Sequence, residues 1–126
     1  MIEKLQERVN ADAALVRRAR WMSADMLLQI GDKAHIVEIR EGRIAAISDA
    51  NIYVTPYDFA IRGTAEAWHE FWQPLPRPRH HDIIALIREG KMQIEGNVEM
   101  AMANFLCLKL MLEKPRGAIS AQGGTQ

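Results

Sequence analysis

"EGKMQIEGN", Glu89 to Asn97, is the stretch on which the fold turns. Gly90 and Gly96 bracket five residues in which Met92 and Ile94 alternate with Lys91, Gln93 and Glu95. A period of two, closed by glycine at both ends, predicts a short strand with one apolar face. The next residues, "VEMAMANFLCLKLMLEK", change the period at once. They predict a helix from Val98 to Glu113, with Asn97 as its N-cap and Pro115 as its stop. Upstream, Asp82 is a candidate N-cap for a short helix that runs to Glu89, with Gly90 as the left-handed residue after it.

Further out, "TAEAWHEFWQ" predicts another short helix, with Thr64 as N-cap and Glu66 in the first turn. "PLPRPRH" ends it, because three prolines in five residues cannot continue a helix. "NIYVTPYDFAIRG" supplies a strand over Tyr57 to Arg62, with Pro56 ahead of it because proline cannot donate to a ladder. "ADMLLQIG", "KAHIVEIR" and "GRIAAIS" are short, β-branched runs separated by Gly-Asp and Glu-Gly pairs, which predicts an antiparallel meander with tight hairpins. Both faces of the middle run carry apolar residues, so the sheet should be covered on both sides for part of its length. Ile2 to Arg20 reads as one amphipathic helix with Ile2, Leu5, Val9, Ala13 and Val16 on a face. The order α-β-β-β-β-α-α-β-α makes an α+β fold, a five-stranded mostly antiparallel sheet covered by helices. Residues 1–114 should form a single domain and 115–126 a flexible tail, since "RGAISAQGGTQ" has no periodic pattern.

Composition narrows the function. The 126 residues are 48% hydrophobic and 25% charged, with a formal net charge of zero. A dedicated nucleic-acid binder needs an excess of Lys and Arg, so that class is not expected. Arg17, Arg18 and Arg20 read as cations favoured at a helix C-terminus. No apolar run reaches the ~18 residues of a membrane span, and the charged N-terminus has no signal-peptide character. Cys107 is the single cysteine, which with the other features fits a cytoplasmic protein.

The last helix has more apolar surface than one contact requires. Glu99, Lys109 and Glu113 share a narrow side and almost everything else is apolar. A helix on a sheet needs a stripe of little more than ~100°. It could be wholly buried, could wall a cavity with its spare flank, or could pack on a second subunit. Asn104 lies opposite the polar side, bonded either to nearby backbone or within a pocket. Trp68, Phe71 and Trp72 give the short helix before the prolines a heavy aromatic face. It packs in the core, or forms a lid with indole N–H groups at a wet rim.

Catalytic signals are weak. "RHHD" gathers His80, His81 and Asp82, with His69 and Glu70 earlier, but adjacent histidines make a poor chelate and no four-ligand zinc spacing exists. GxSxG, P-loop and GxGxxG motifs are absent, so no cofactor, no metal and no catalytic residue are expected.

The chain resembles the sterol carrier protein type 2 family. The resemblance rests on "DFAIRGTAEAWHEF", on "IIALIREGKMQIEGNVEMAMANFLCL" and on the meander "ADMLLQIGDKAHIVEIREGRI". It covers most of residues 20–113, and its marks are Asp58, Gly90, Lys91, Gly96 and Asn97. It implies a sheet and helices enclosing an apolar tunnel for fatty acyl chains, sterols or related lipids, without catalytic residues. Peroxisomal members end in a targeting tripeptide; this chain ends "GTQ", so peroxisomal import is not expected. The prolines of "QPLPRPRHH" also depart from the pattern.

The expected function is therefore non-catalytic binding or transfer of a hydrophobic small molecule. The residues expected to contact it are Trp68, Phe71 and Trp72, then Ile83 and Ile87 of the next helix, and Met100, Asn104 and Leu108 of the last. The protein would be a monomer or homodimer. The alternative is an interaction or dimerisation module using the last helix, accessory to a partner enzyme; an enzyme built on His80, His81 or Asp82 ranks last.

Overall fold

The structure, a computed structural model, describes residues 2–73 and 82–116. The N-terminal segment is two helices, α1 (Ile2–Ala11) and α2 (Ala13–Arg18), where the periodicity predicted one. Asp12 makes the break. Its backbone is extended, with φ −93° and ψ 91°, and its carboxylate accepts from the Leu15 N–H at 3.0 Å. An aspartate satisfies the orphan donors of a new helix better than it continues an old one. The break moves the buried stripe: Leu5 and Val9 are followed by Leu15 and Ala19 in the core, while Ala13 is exposed and Val16 half-buried.

The sheet follows the predicted meander. β1 (Ala24–Ile30), β2 (Lys33–Arg40) and β3 (Arg43–Ala50) pair antiparallel. The β2–β3 turn places Glu41 at φ 51° and Gly42 at φ 81°, the conformation a two-residue hairpin needs. β4 (Phe59–Gly63) pairs parallel with β1, and β5 (Met92–Gly96) pairs antiparallel with β4, giving the order β3-β2-β1-β4-β5. β4 begins two residues later than predicted. Asp58 is occupied at the corner instead: its carboxylate accepts from Asp25 N–H at 2.7 Å and its carbonyl accepts from Asn97 N–H at 2.8 Å.

Both faces of the sheet are covered in part. One buries Met26, Leu28, Val37, Ile39, Phe59, Ile61 and Met92 beneath the helices. On the other, Leu27, Ala34 and Ala60 lie under Ile52 and Tyr57 of the crossover from β3 to β4. A parallel β1–β4 pair requires such a crossover, and here it supplies the second layer.

On the helical side stand α3 (Ala65–Phe71) and α4 (Ile83–Arg88), capped by Thr64 and Asp82 as expected. The last helix is also broken, into α5 (Val98–Ala103) and α6 (Phe105–Leu112). The Asn104 amide donates to the Met100 carbonyl at 3.0 Å. That local bond competes with the helical ladder. α5 and α6 are not wholly buried. Ala101, Leu108, Met111 and Leu112 are in the core, whereas Val98, Met102 and Leu106 are 42, 43 and 59% exposed. The chain stays attached past residue 114: Pro115 is buried, and the Arg116 guanidinium donates to the Phe71 carbonyl at 3.0 Å.

Candidate ligand site

α3 carries the site. Thr64 fixes its start by accepting from Ala67 N–H at 3.0 Å, and this sets Trp68, Phe71 and Trp72 on the face toward the sheet. The rings form one stack: Trp68 and Trp72 lie 4.9 Å apart, and Phe71 meets Trp68 edge-on at 5.9 Å. Neither indole N–H lies at a wet rim. Trp68 Nε1 donates to the Gln29 carbonyl at 2.9 Å and Trp72 Nε1 to the Leu112 carbonyl at 2.7 Å, so each anchors α3 to a different element. Gly63 makes the first bond possible, because a Cβ there would lie 2.8 Å from Trp68 Nε1.

Trp68 and Trp72, only 0 and 2% exposed, lie behind the lining of an open cleft of about 370 Å³. Ile2 of α1, Ile30 of β1 and Ala65 of α3 supply the rest of its apolar lining. Lys33, His35 and His69 are the polar lining, and Lys33 is the only one of the three that carries a fixed charge. His35 Nδ1 lies 3.7 Å from the Asp49 carboxylate, and His69 Nε2 meets the Gln73 amide at 3.0 Å. The cleft offers apolar contact with polar groups at its rim, an arrangement suited to binding an amphiphile.

The other residues singled out in the sequence lie behind the same lining. Phe71, Ile83 and Leu108 are fully buried in the same core cluster, with Ile87 and Met100 packed half-buried against it. Asn104 is half-buried at the α5–α6 junction, its amide bonded to Met100. Ile2, Ile30, Lys33 and His35 were missed, since their shared cleft arises from elements far apart in sequence. The one available signal was parity: His35 alternates with Val37 and Ile39 toward the helices. His80 and His81 lie outside the described residues. Among the described residues no group of three or more His, Cys, Asp or Glu could hold a metal, and no helix is long and apolar enough to cross a membrane.

No family model and no curated protein matches the sequence. Solved structures do match. The crystal structure of sterol carrier protein 2 superposes with a TM-score of 0.70 at 13% identity, over 90% of this chain and 92% of that one. A conserved hypothetical protein of Thermus thermophilus, described as a candidate sterol carrier protein, gives 0.70 at 13% identity over 98% and 88%. Palmitated SCP2L2 from Aedes aegypti gives 0.57 at 15% identity over 87% and 89%. The chain has the sterol carrier protein fold. In this sterol carrier fold, α3 stacks its aromatic face against the sheet, and the cleft opens between α3, the N-terminus of α1 and the β1–β2 hairpin.

Proposed function

We propose that the protein is a non-catalytic carrier of a hydrophobic small molecule, an acyl chain or a similar lipid. The observation that carries this reading is the apolar cleft backed by Trp68 and Trp72. The fold likeness supports it, as does the palmitate on the mosquito protein, which is a property of that protein. The ligand lies along Ile2, Ile30 and Ala65, over the buried indoles of Trp68 and Trp72. Deeper entry displaces Ile87, Met100 and Asn104, which are only half-buried, ahead of Phe71, Ile83 and Leu108. Burying several methylenes at ~0.8 kcal/mol each, less the cost of association, gives an affinity of order micromolar. Titration with palmitate and with cholesterol, read by tryptophan emission, tests it. A saturating change with either supports the carrier, and no change with both, together with no displacement of an apolar dye, sinks it.

A second reading has its own observation. Val98, Met102 and Leu106 are exposed at intervals of four on α5 and α6, an unpartnered apolar stripe suited to a protein interface. Gel filtration separates the two: a tight dimer that Leu106→Glu converts to monomer favours the interface.

A further inference from the structure

A second cavity, of about 430 Å³, lies at the end of the sheet where β1 and β4 finish. Polar side chains of neighbouring strands form one row along it. Gln29 of β1 pairs in register with Arg62 of β4, and Arg62 pairs with Gln93 of β5. Arg62 is the centre of the row, with its side chain 21% exposed. Its Nε donates to Glu95 at 2.8 Å, its Nη1 to the Gln29 side-chain carbonyl at 2.6 Å, and its Nη2 reaches the Tyr57 hydroxyl at 3.5 Å. Lys91 also lines the cavity, its ammonium 3.2 Å from Glu89. Glu89 and Glu95 both stand outside the lining, so the charged groups that line the cavity are cations. Thr64, Ala65 and the bare backbone of Gly31, Gly63 and Gly90 complete it. Beside Gly90 the space is open, since a Cβ there would meet nothing within 4 Å.

We propose that this cavity binds an oxyanion, the phosphate or carboxylate group of a small polar molecule. Cross-strand pairing accounts for the Arg62–Glu95 bond, but it leaves Nη hydrogens over, because each Nη carries a pair. A guanidinium fork already held by its neighbours loses little freedom when it takes two oxygens of one anion. Lys91 adds a point charge. The Thr64 hydroxyl accepts from Ala67 N–H at 3.0 Å and keeps its own hydrogen to donate. The Gln29 side chain is engaged at both ends, Oε1 with Arg62 and Nε2 with the Gly31 carbonyl at 2.9 Å. The Gln93 amide is exposed and without a partner among the described residues, placed to meet the neutral part of the ligand. Glycine backbone lets that part approach closely. The cavity shares only Ala65 with the apolar cleft, so the two can be tested separately.

The test titrates the isotope-labelled full chain with glycerol phosphate, succinate and dodecyl phosphate, with glycerol as the neutral control, and reads amide and arginine side-chain chemical shifts. Saturable shifts should appear at Gly31, Gly63, Gly90 and the Arg62 Nε–H with the anions and not with glycerol. Gln93→Glu puts a carboxylate beside Arg62, and Lys91→Glu reverses the second charge, both at exposed positions. Each should weaken anion binding by about tenfold or more while melting as the parent does. Arg62→Lys keeps the charge, loses the fork and should weaken it as well. A response to glycerol phosphate or succinate makes the ligand a free small molecule. A response to dodecyl phosphate alone, lost in Gln93→Glu, makes the oxyanion the head of an amphiphile. No saturable shift with any of the three anions overturns the proposal. So do both charge variants within about twofold of the parent, or shifts centred on residues outside the cavity.

Discussion

Trp72 donates its indole N–H to the carbonyl of Leu112 at 2.7 Å, across 40 residues of sequence. The bond is buried and closes the end of α6 onto α3. Leu112 is in the last turn of α6, where carbonyls have no helical partner. The bond therefore satisfies both an orphan carbonyl and a buried indole.

Trp72→Phe should remove the donor and strand the carbonyl. The expected loss is about 1–3 kcal/mol. Thermal denaturation should show it as a fall of at least about 4 °C in Tm. An unchanged Tm means that water reaches the Leu112 carbonyl after all.

Gly63→Ala tests the other anchor. The added methyl would meet Trp68 Nε1 at 2.8 Å and Met92 Cγ at 3.0 Å. Overpacking of this kind costs typically about 1–3 kcal/mol. Tryptophan emission should shift as the Trp68 bond to Gln29 is displaced, and a variant with parental emission and stability counts against this packing.

The C-terminal boundary can be located by two truncations. Ending the chain after Arg116 keeps the Arg116 contact with Phe71, its guanidinium 4.8 Å over that ring, and the Arg8 bonds to the Lys114 and Arg116 carbonyls. Ending it after Lys114 removes Arg116 and the buried Pro115. The first truncation should melt like the full chain. The second should be less stable by about 1 kcal/mol or more, and equal melting of both refutes the docking of Arg116.

Acid stability should depend on Asp12. The Lys114 ammonium, hydrogen-bonded to it, and the Leu15 N–H hold its carboxyl below the ordinary value. A lowered folded pKa means that the native state binds the proton less readily than the unfolded chain. The contribution is complete above the unfolded value of ~3.9 and is lost as pH falls through the folded one. Asp12→Asn keeps a capping side chain and should flatten the fall of Tm on the acid side. A Tm–pH curve of unchanged shape rules this out.

Ligand binding should respond to the cleft more selectively than to the core. Ala65→Trp places a bulky ring in the cleft lining, and Ile2→Arg places a charge there. Both should weaken palmitate binding by about tenfold, ~1.4 kcal/mol, with little change in melting. Leu108→Arg buries a charge where Leu108 is fully enclosed, so it should unfold the chain. Weakened binding with all variants folded and Leu108→Arg alone effective would move the site into the core.

Local chemistry was legible in the sequence. Alternation with glycine at the turns determined the five strands and the antiparallel meander, because a period of two needs only neighbours along the chain. Thr64, Asp82 and Asn97 marked helix starts for the same reason, each bonding an N–H two or three residues on. Periodicity failed at Asp12 and Asn104. Both sit within continuous apolar patterns; the Asp12 side chain caps the helix that follows it, whereas Asn104 makes no cap bond and its amide instead donates back to the Met100 carbonyl.

The aromatic face of α3 was equally plain from Trp68, Phe71 and Trp72. What lay against it was not. Ile2, Ile30 and Lys33 become its neighbours only after β4 pairs parallel with β1 and carries α3 across the helical face. The same crossover places Tyr57 and Ile52 over Leu27, covering the second side of the sheet. The sequence by itself determined the elements and their apolar faces, which follow from spacing. Only the tertiary structure decided which faces close fully and where a cleft remains, because that depends on how distant side chains fill a shared volume.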